Sequence, residues 1–221
     1  VNDMMKITEK IFNHIQLSMK KNIFKFNNHE IDFSKPFKVS SMKDLFVDKL
    51  GENIIEVSDN RLEKICSNHD IDITKYKNRG KIVEKIFSQV IEPDLIQPTF
   101  VIDYPIEISP LARKNRKYKN GKYVERFELF IGGIEIANAF SELNDPFEQK
   151  ERLINQQNLV IKGDEEAQVM DEDFIKVLET GMPPTGGVGI GIDRLVMIFT
   201  EQDSIKDVIL FPSMRPEQEI D

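Results

Sequence analysis

Residues 186–199 read GGVGIGIDRLVMIF. Four glycines lead into Asp193-Arg194, and an apolar run at helical spacing follows. Stripping side chains just before a helix lets backbone approach a ligand closely. The N-terminus of a helix attracts anions, and an arginine beside it grips a phosphate through two parallel hydrogen bonds. The stretch predicts strand, glycine-rich bend and helix, built around a phosphate. It lacks the G-x-G-x-x-G of a dinucleotide fold, because Ile192 and Asp193 fall where that pattern needs its last glycine. Asp193 is expected to complement the helix dipole rather than to act on a phosphate, which it would repel.

Working outward, YVERFELFIGGIEIANAFSEL (123–143) predicts a long hairpin. Gly132-Gly133 suits a two-residue turn with positive φ at both positions. Ile131 then faces Ile134, and Phe130 faces Glu135. Glu128 lies two residues from Phe130 and so on the face of Glu135. The two carboxylates become diagonal neighbours that can converge on one cation, or else form an exposed acidic pair balanced by lysines. Asn138, Phe140 and Glu142 also alternate, but in strict register they face away from Glu135. A bulge between Glu135 and Asn138 is the expected remedy.

The remaining chain supplies the frame. Residues 1–20 carry Met4, Ile7, Ile11, Phe12, Ile15 and Met19 at helical steps. NIFKFNNHEIDF (22–33) reads as a hairpin turning at Asn27-Asn28. SSMKDLFVDKLG (40–51), SDNRLEKICSN (58–68) and NRGKIVEKIFSQVI (78–91) predict three short helices, the first capped by Ser40 or Ser41 and stopped by Gly51. QPTFVIDYPIEIS (97–109) returns to strand. A basic loop runs from Arg113 to Arg126, suited either to steering anionic partners or simply to solvation. DPFEQKERLINQQNLV (145–160) begins a helix with Asp145 as cap and Pro146 at its first position. GDEEAQVMDED (163–173) reads as an acidic, mobile connection, and Gly181 stops a helix over DFIKVLETG. The expected class is α+β, a mostly antiparallel sheet flanked by helices. Three parts are expected: 1–39 in the core, 40–92 as a helical insertion, and 93–221 as the core that carries the glycine-rich motif.

The 221 residues are 40% hydrophobic and 31% charged, a globular composition. A net charge of −8 argues against a surface that tracks nucleic acid throughout. Cys66 is the only cysteine, which excludes an intrachain disulfide and a Cys-rich zinc site. A reducing, cytoplasmic setting is expected, with no membrane span and no signal peptide. The three histidines, His14, His29 and His69, have no ligand spacing.

Together, RFELFIGGIEIANAFSELNDPFEQKERL (126–153), GMPPTGGVGIGIDRLVMIFT (181–200), DVILFPSMRP (207–216) and YPIEISPLAR (104–113) resemble the C-terminal half of the catalytic domain of class II lysyl-tRNA synthetases. The resemblance implies a class II aminoacyl-tRNA synthetase-like antiparallel sheet holding ATP and L-lysine. The reaction it implies makes lysyl-adenylate and then charges tRNA(Lys). Arg194 matches the arginine that holds the γ-phosphate of a bent ATP, and Gly189 and Gly191 match the glycines of the same motif. Glu128 and Glu135 match ligands of magnesium (Mg2+). Asn138 matches a contact to the amino-acid carboxylate, Phe140 a wall along the lysine stem, and Glu142 the acid that pairs with the ε-ammonium. The family also carries an anticodon-binding domain, a dimer-forming first motif and a second motif with an α-phosphate arginine. None of these is found in the 221 residues. The piece is therefore expected to be inactive alone, to have been cut from a longer homodimeric protein, and to expose a sheet edge. Alternatives are a paralogue that lysylates a protein and a non-catalytic module that binds lysine or nucleotide.

Overall fold

The computed structural model describes residues 1–74, 76, 78–161, 163–164 and 167–212. Met214, Arg215 and Pro216, which close one matched block, lie outside these residues, as do residues 162, 165 and 166 around the acidic connection.

Helix α1 (Asn2–Met19) leads into the hairpin β1 (Ile23–Phe26) and β2 (His29–Asp32). Asn27 and Asn28 turn it with φ of 48° and 62°. Strand β3 (Lys38–Ser41) runs directly into α2 (Met42–Leu50), where Ser41 caps Asp44 N at 3.0 Å. Helices α3 (Asp59–Asn68) and α4 (Arg79–Ile86) follow, and α4 continues through a wider turn over Phe87–Ile91. Next come β4 (Thr99–Ile102), β5 (Arg126–Ile131) and β6 (Ile134–Ser141). Helix α5 (Pro146–Ile161) starts where Asp145 Oδ1 accepts from the amides of Phe147 and Glu148 at 2.9 and 3.1 Å. Helix α6 (Glu172–Glu179), β7 (Gly186–Ile190) and α7 (Ile192–Thr200) complete the order.

The main sheet has five strands in the order β3-β4-β5-β6-β7. All its pairs are antiparallel except β3 with β4, which is parallel. The expected antiparallel sheet is therefore mixed at one edge. Residue 40, the expected start of the helical insertion, falls inside β3.

Alternation along the strands sorts the core onto two faces. Phe100, Phe127, Leu129 and Ile131 join Phe12, the phenylalanines of the first hairpin and Ile198 and Phe199 of α7. Val101, Tyr104 and Phe130 point the other way, into a cluster with Met42, Phe46, Leu62, Val83, Ile86 and Phe87 of α2–α4. Helices α2–α4 thus share one core with the sheet. They cover part of the face that carries Glu128, and the functional residues occupy the rest of it.

Gly132 and Gly133 turn the β5–β6 hairpin with φ of 62° and 77°. A Cβ at Gly132 would stand 2.5 Å from Cδ1 of the fully buried Phe26 ring. Gly132→Ala is expected to cost about 1–3 kcal/mol of stability, from backbone strain plus overpacking. Gly133→Asn should cost less, because its nearest neighbours stand at 3.5 Å and asparagine tolerates this backbone. Denaturant unfolding of the two variants checks the contrast.

Candidate active site

The β5–β6 register delivers the site. Ile131 pairs with Ile134 and Phe130 with Glu135, but Leu129 pairs with Ala137, so Ile136 is the extra residue of a bulge. Ile136 and Ala137 are both buried in the α1/α7 core, 1% and 2% exposed. Two successive residues facing one core leave Glu135 and Asn138 on the opposite face. Asn138 then stands directly across from Glu128, and Phe140 across from Arg126. The expected bulge is present, and its cause is burial of two apolar side chains that strict alternation would have separated.

Glu128 is held by three donors. Its Oε1 accepts from Arg126 Nη2 and from Asn138 Nδ2 at 3.3 Å, and its Oε2 accepts from Tyr104 Oη at 2.7 Å. Burial, with the Glu128 charge next in weight, lifts the Tyr104 phenol well above its ordinary value, so it remains a donor. Glu135 differs. Its carboxylate accepts no hydrogen bond among the described residues, while its backbone oxygen accepts from Arg194 Nη1 at 2.6 Å. Burial first, then the negative charge of Glu128, pushes the Glu135 carboxyl up to about 7, against the pull of Arg126 and Arg194.

Glu135 lines two clefts. One, of about 350 Å³, lies between α4 and the sheet and includes Glu92, Tyr104, Glu128 and Phe130. The other, of about 230 Å³, includes Gly189, Gly191, Asp193 and Arg194. Gly191 sits at the N-terminus of α7, its amide donating to Ile136 O at 2.9 Å, with Arg194 in the first turn. Arg194 is exposed, and one bond to a backbone oxygen leaves most of its five donors available. Asp193 is exposed in the same turn, where it complements the dipole.

Glu142 continues the alternation of Asn138 and Phe140 just beyond β6, and its amide donates to Thr185 O at 2.9 Å. Its half-buried carboxylate has no partner among the described residues, and desolvation alone raises its pKa. A Cβ at Gly187 on β7 would come within 3.1 Å of Glu142 Oε1, so the glycine run also makes room for this acid. A larger cleft of about 560 Å³ between α4 and α5 contains none of these residues. Its arginines are already committed, Arg79 to Asp59 and backbone oxygens, Arg152 to Glu148 and backbone oxygens.

Among the described residues no three His, Cys, Asp or Glu side chains are grouped to hold a metal. Two carboxylates are nevertheless a usual protein share for magnesium, with phosphates and water completing the shell. Among the described residues Glu135 has both oxygens free of hydrogen bonds and Glu128 Oε2 accepts only one, so the pair fits a cation that arrives with phosphate.

Three contributors escaped the sequence reading. Arg126 was grouped with the basic loop, yet its guanidinium lies inside the site; its position two residues before Glu128 on the same strand face was the available signal. Tyr104, just beyond β4, and Glu92, in the short helical turn Glu92–Asp94, reach the site from other elements, and the sequence assigns neither a role there. Elsewhere in the basic loop, Arg116 pairs with Glu125 and Lys114 with Glu148.

A family profile described as tRNA synthetases class II (D, K and N) matches residues 1–215. The chain is 46% identical over 215 residues to a lysine–tRNA ligase of Thermosipho africanus, covering 97% of the chain and 42% of the relative. It is 47% identical over 221 residues to a lysine–tRNA ligase of Fervidobacterium nodosum, covering 99% and 42%. A lysine–tRNA ligase of Prochlorococcus marinus is 48% identical over 219 residues, at 97% and 42%. The chain therefore spans about two fifths of the length of the curated relatives it matches. With the profile covering nearly all of it, the chain belongs to the class II tRNA synthetases of the D, K and N group.

Proposed function

We propose that the chain is the C-terminal part of the catalytic domain of a lysine–tRNA ligase. In this reading the lysine carboxylate attacks the α-phosphorus of ATP. A carboxylate–phosphorus bond forms, the bond to the β-phosphate oxygen breaks, and pyrophosphate leaves. A hydroxyl at the 3′ end of tRNA(Lys) then attacks the lysyl carbonyl, an ester bond forms, the bond to the phosphate oxygen breaks, and AMP leaves. The supporting observation is the bulge-aligned row on one face, Glu128, Glu135, Asn138 and Glu142, with Arg194 at its end.

Each residue does what its surroundings favour. Asn138, fixed by Arg126 and Glu128, presents its amide to the amino-acid carboxylate. Glu142 offers an unpaired, desolvated carboxylate to an ammonium, and Phe140 lines the stem between them. Gly189 and Gly191 leave space for the nucleotide along β7, and Arg194 takes its terminal phosphate. Magnesium held by Glu128 and Glu135 would neutralise phosphate charge as pyrophosphate departs. Catalysis is then mainly positioning and charge neutralisation. Cytoplasmic location and a homodimeric whole protein complete the proposal. No described helix is long and apolar enough to cross a membrane.

Choice of lysine over the other two amino acids of the group rests on Glu142. Ligand that binds only the folded state raises its melting temperature by mass action. L-lysine with ATP and magnesium is expected to raise the melting temperature of the full-length protein, whereas aspartate and asparagine are not. Protection by aspartate instead would overturn the assignment.

A further inference from the structure

We propose that Arg126 is a positioning residue that couples the amino-acid half of the site to the phosphate half; this rests on the lysine–tRNA ligase reading. The side chain is 12% exposed and reaches in three directions at once. Its Nε donates to Asn138 Oδ1 at 3.2 Å, and its Nη2 donates to Glu128 Oε1. Its Nη1 donates to Ile108 O at 2.9 Å and to Ser109 Oγ at 3.0 Å. The guanidinium lies over the Tyr104 ring, 4.7 Å from its centroid, and the Tyr104 hydroxyl holds the other oxygen of Glu128.

One rigid, planar cation therefore fixes three things. It sets the amide orientation of Asn138, leaving its Nδ2 hydrogens to Glu128 and to substrate. It sets the direction of the Glu128 carboxylate. It also pins the turn before the basic loop to the sheet. Neither unpaired acid of the site, Glu135 or Glu142, accepts a hydrogen bond from Arg126, so its donors go to holding neighbours in place. A lysine in its position would supply charge but only a point donor, and could not span these partners in one plane. A shift of Asn138 on amino-acid binding reaches Glu128 through Arg126 as well as through the longer direct bond from Asn138 Nδ2 at 3.3 Å.

The test uses the full-length enzyme, with R126Q, R126K, Y104F and N138A. Wild-type protein must first show lysine-dependent ATP–pyrophosphate exchange; if it shows none, the functional reading fails rather than this inference. Partners that orient a ligating group typically matter 10–100-fold. R126Q is expected to raise both the lysine KM and the magnesium concentration for half-maximal rate, each about 10-fold or more. It should also weaken lysine binding measured by calorimetry without ATP or magnesium. Y104F touches only the Glu128 side and should move the magnesium requirement while leaving the lysine KM within about twofold. N138A removes the amide from the lysine side and only the longer donor to Glu128, so it should chiefly raise the lysine KM, and R126Q with N138A should be clearly less than additive for lysine. R126K should recover part of the loss and keeps the test open if R126Q does not fold. Wild-type lysine KM and magnesium dependence in folded R126Q or R126K, or full additivity with N138A, would overturn the proposal.

Discussion

Arg194→Ala in the full-length enzyme is expected to lower kcat/KM for ATP in pyrophosphate exchange about 100–1,000-fold, the usual cost of removing one preorganised donor aimed at developing charge. The geometry gives the reason. Arg194 stands in the first turn of α7, where a Cβ at Gly191 would meet its Cδ at 3.6 Å, and a single bond to Glu135 O leaves the rest of its fork open. It also opposes the charge of two nearby acids: burial raises the carboxyls of both Glu92 and Glu135, and the Arg194 charge acts against that rise. Without it the cleft is acidic and repels a polyphosphate. The side chain is exposed, so the melting temperature should move little, as for most surface substitutions. Lysine binding without ATP should also be nearly unchanged. Arg194→Lys keeps the charge without the bidentate geometry and should fall between. An unchanged KM for ATP in Arg194→Ala would remove this residue from the phosphate site.

Glu142→Gln should act on the other substrate. Truncating one partner of a buried charge pair costs about 2–5 kcal/mol, which is about 30-fold or more in the lysine KM. The KM for ATP should change far less. The pH dependence follows from burial, which raises the Glu142 carboxyl above its ordinary 4.5. The ammonium of lysine binds the ionised acid, so affinity for lysine should fall as the pH drops through that raised pKa. For stability the sign is opposite in the free protein. The folded chain retains a proton that the unfolded chain has released, so stability falls as pH rises from about 4.5 through the raised value. Lysine returns what the empty site loses. Thermal protection by lysine should therefore be larger at pH 8 than at pH 5. Glu142→Gln should flatten this difference and leave the unliganded protein slightly more stable at pH 8. Equal protection at both pH values in the wild type would show that Glu142 does not meet the ammonium.

Short-range features are legible in the sequence. Caps at Ser41 and Asp145 and turns at Asn27-Asn28 and Gly132-Gly133 depend on neighbours a few residues away. The bulge was legible for a different reason: Glu135, Asn138 and Glu142 cannot share a face without it. Contacts across long stretches were not legible. Strand β3 pairs in parallel with β4, Val39 opposite Phe100, and nothing within residues 38–41 announces a partner so far along the chain. The same holds for Arg126, which read as the end of a basic loop because its partners Ile108, Ser109 and Asn138 come from other elements. Helices α2–α4 read as a helical insertion, and nothing in their sequence shows that Val101, Tyr104 and Phe130 of the sheet join their core. Roles of individual residues came from resemblance, since an alternating acidic strand is equally compatible with an ordinary solvated face.

The most direct measurement is ATP–pyrophosphate exchange by the full-length protein and by the 221-residue chain, with lysine, aspartate and asparagine each supplied in turn. The account predicts exchange by the full-length protein with lysine alone, and none by the 221-residue chain with any of the three. Exchange driven by aspartate or asparagine, or no exchange with lysine in the full-length protein, would contradict it.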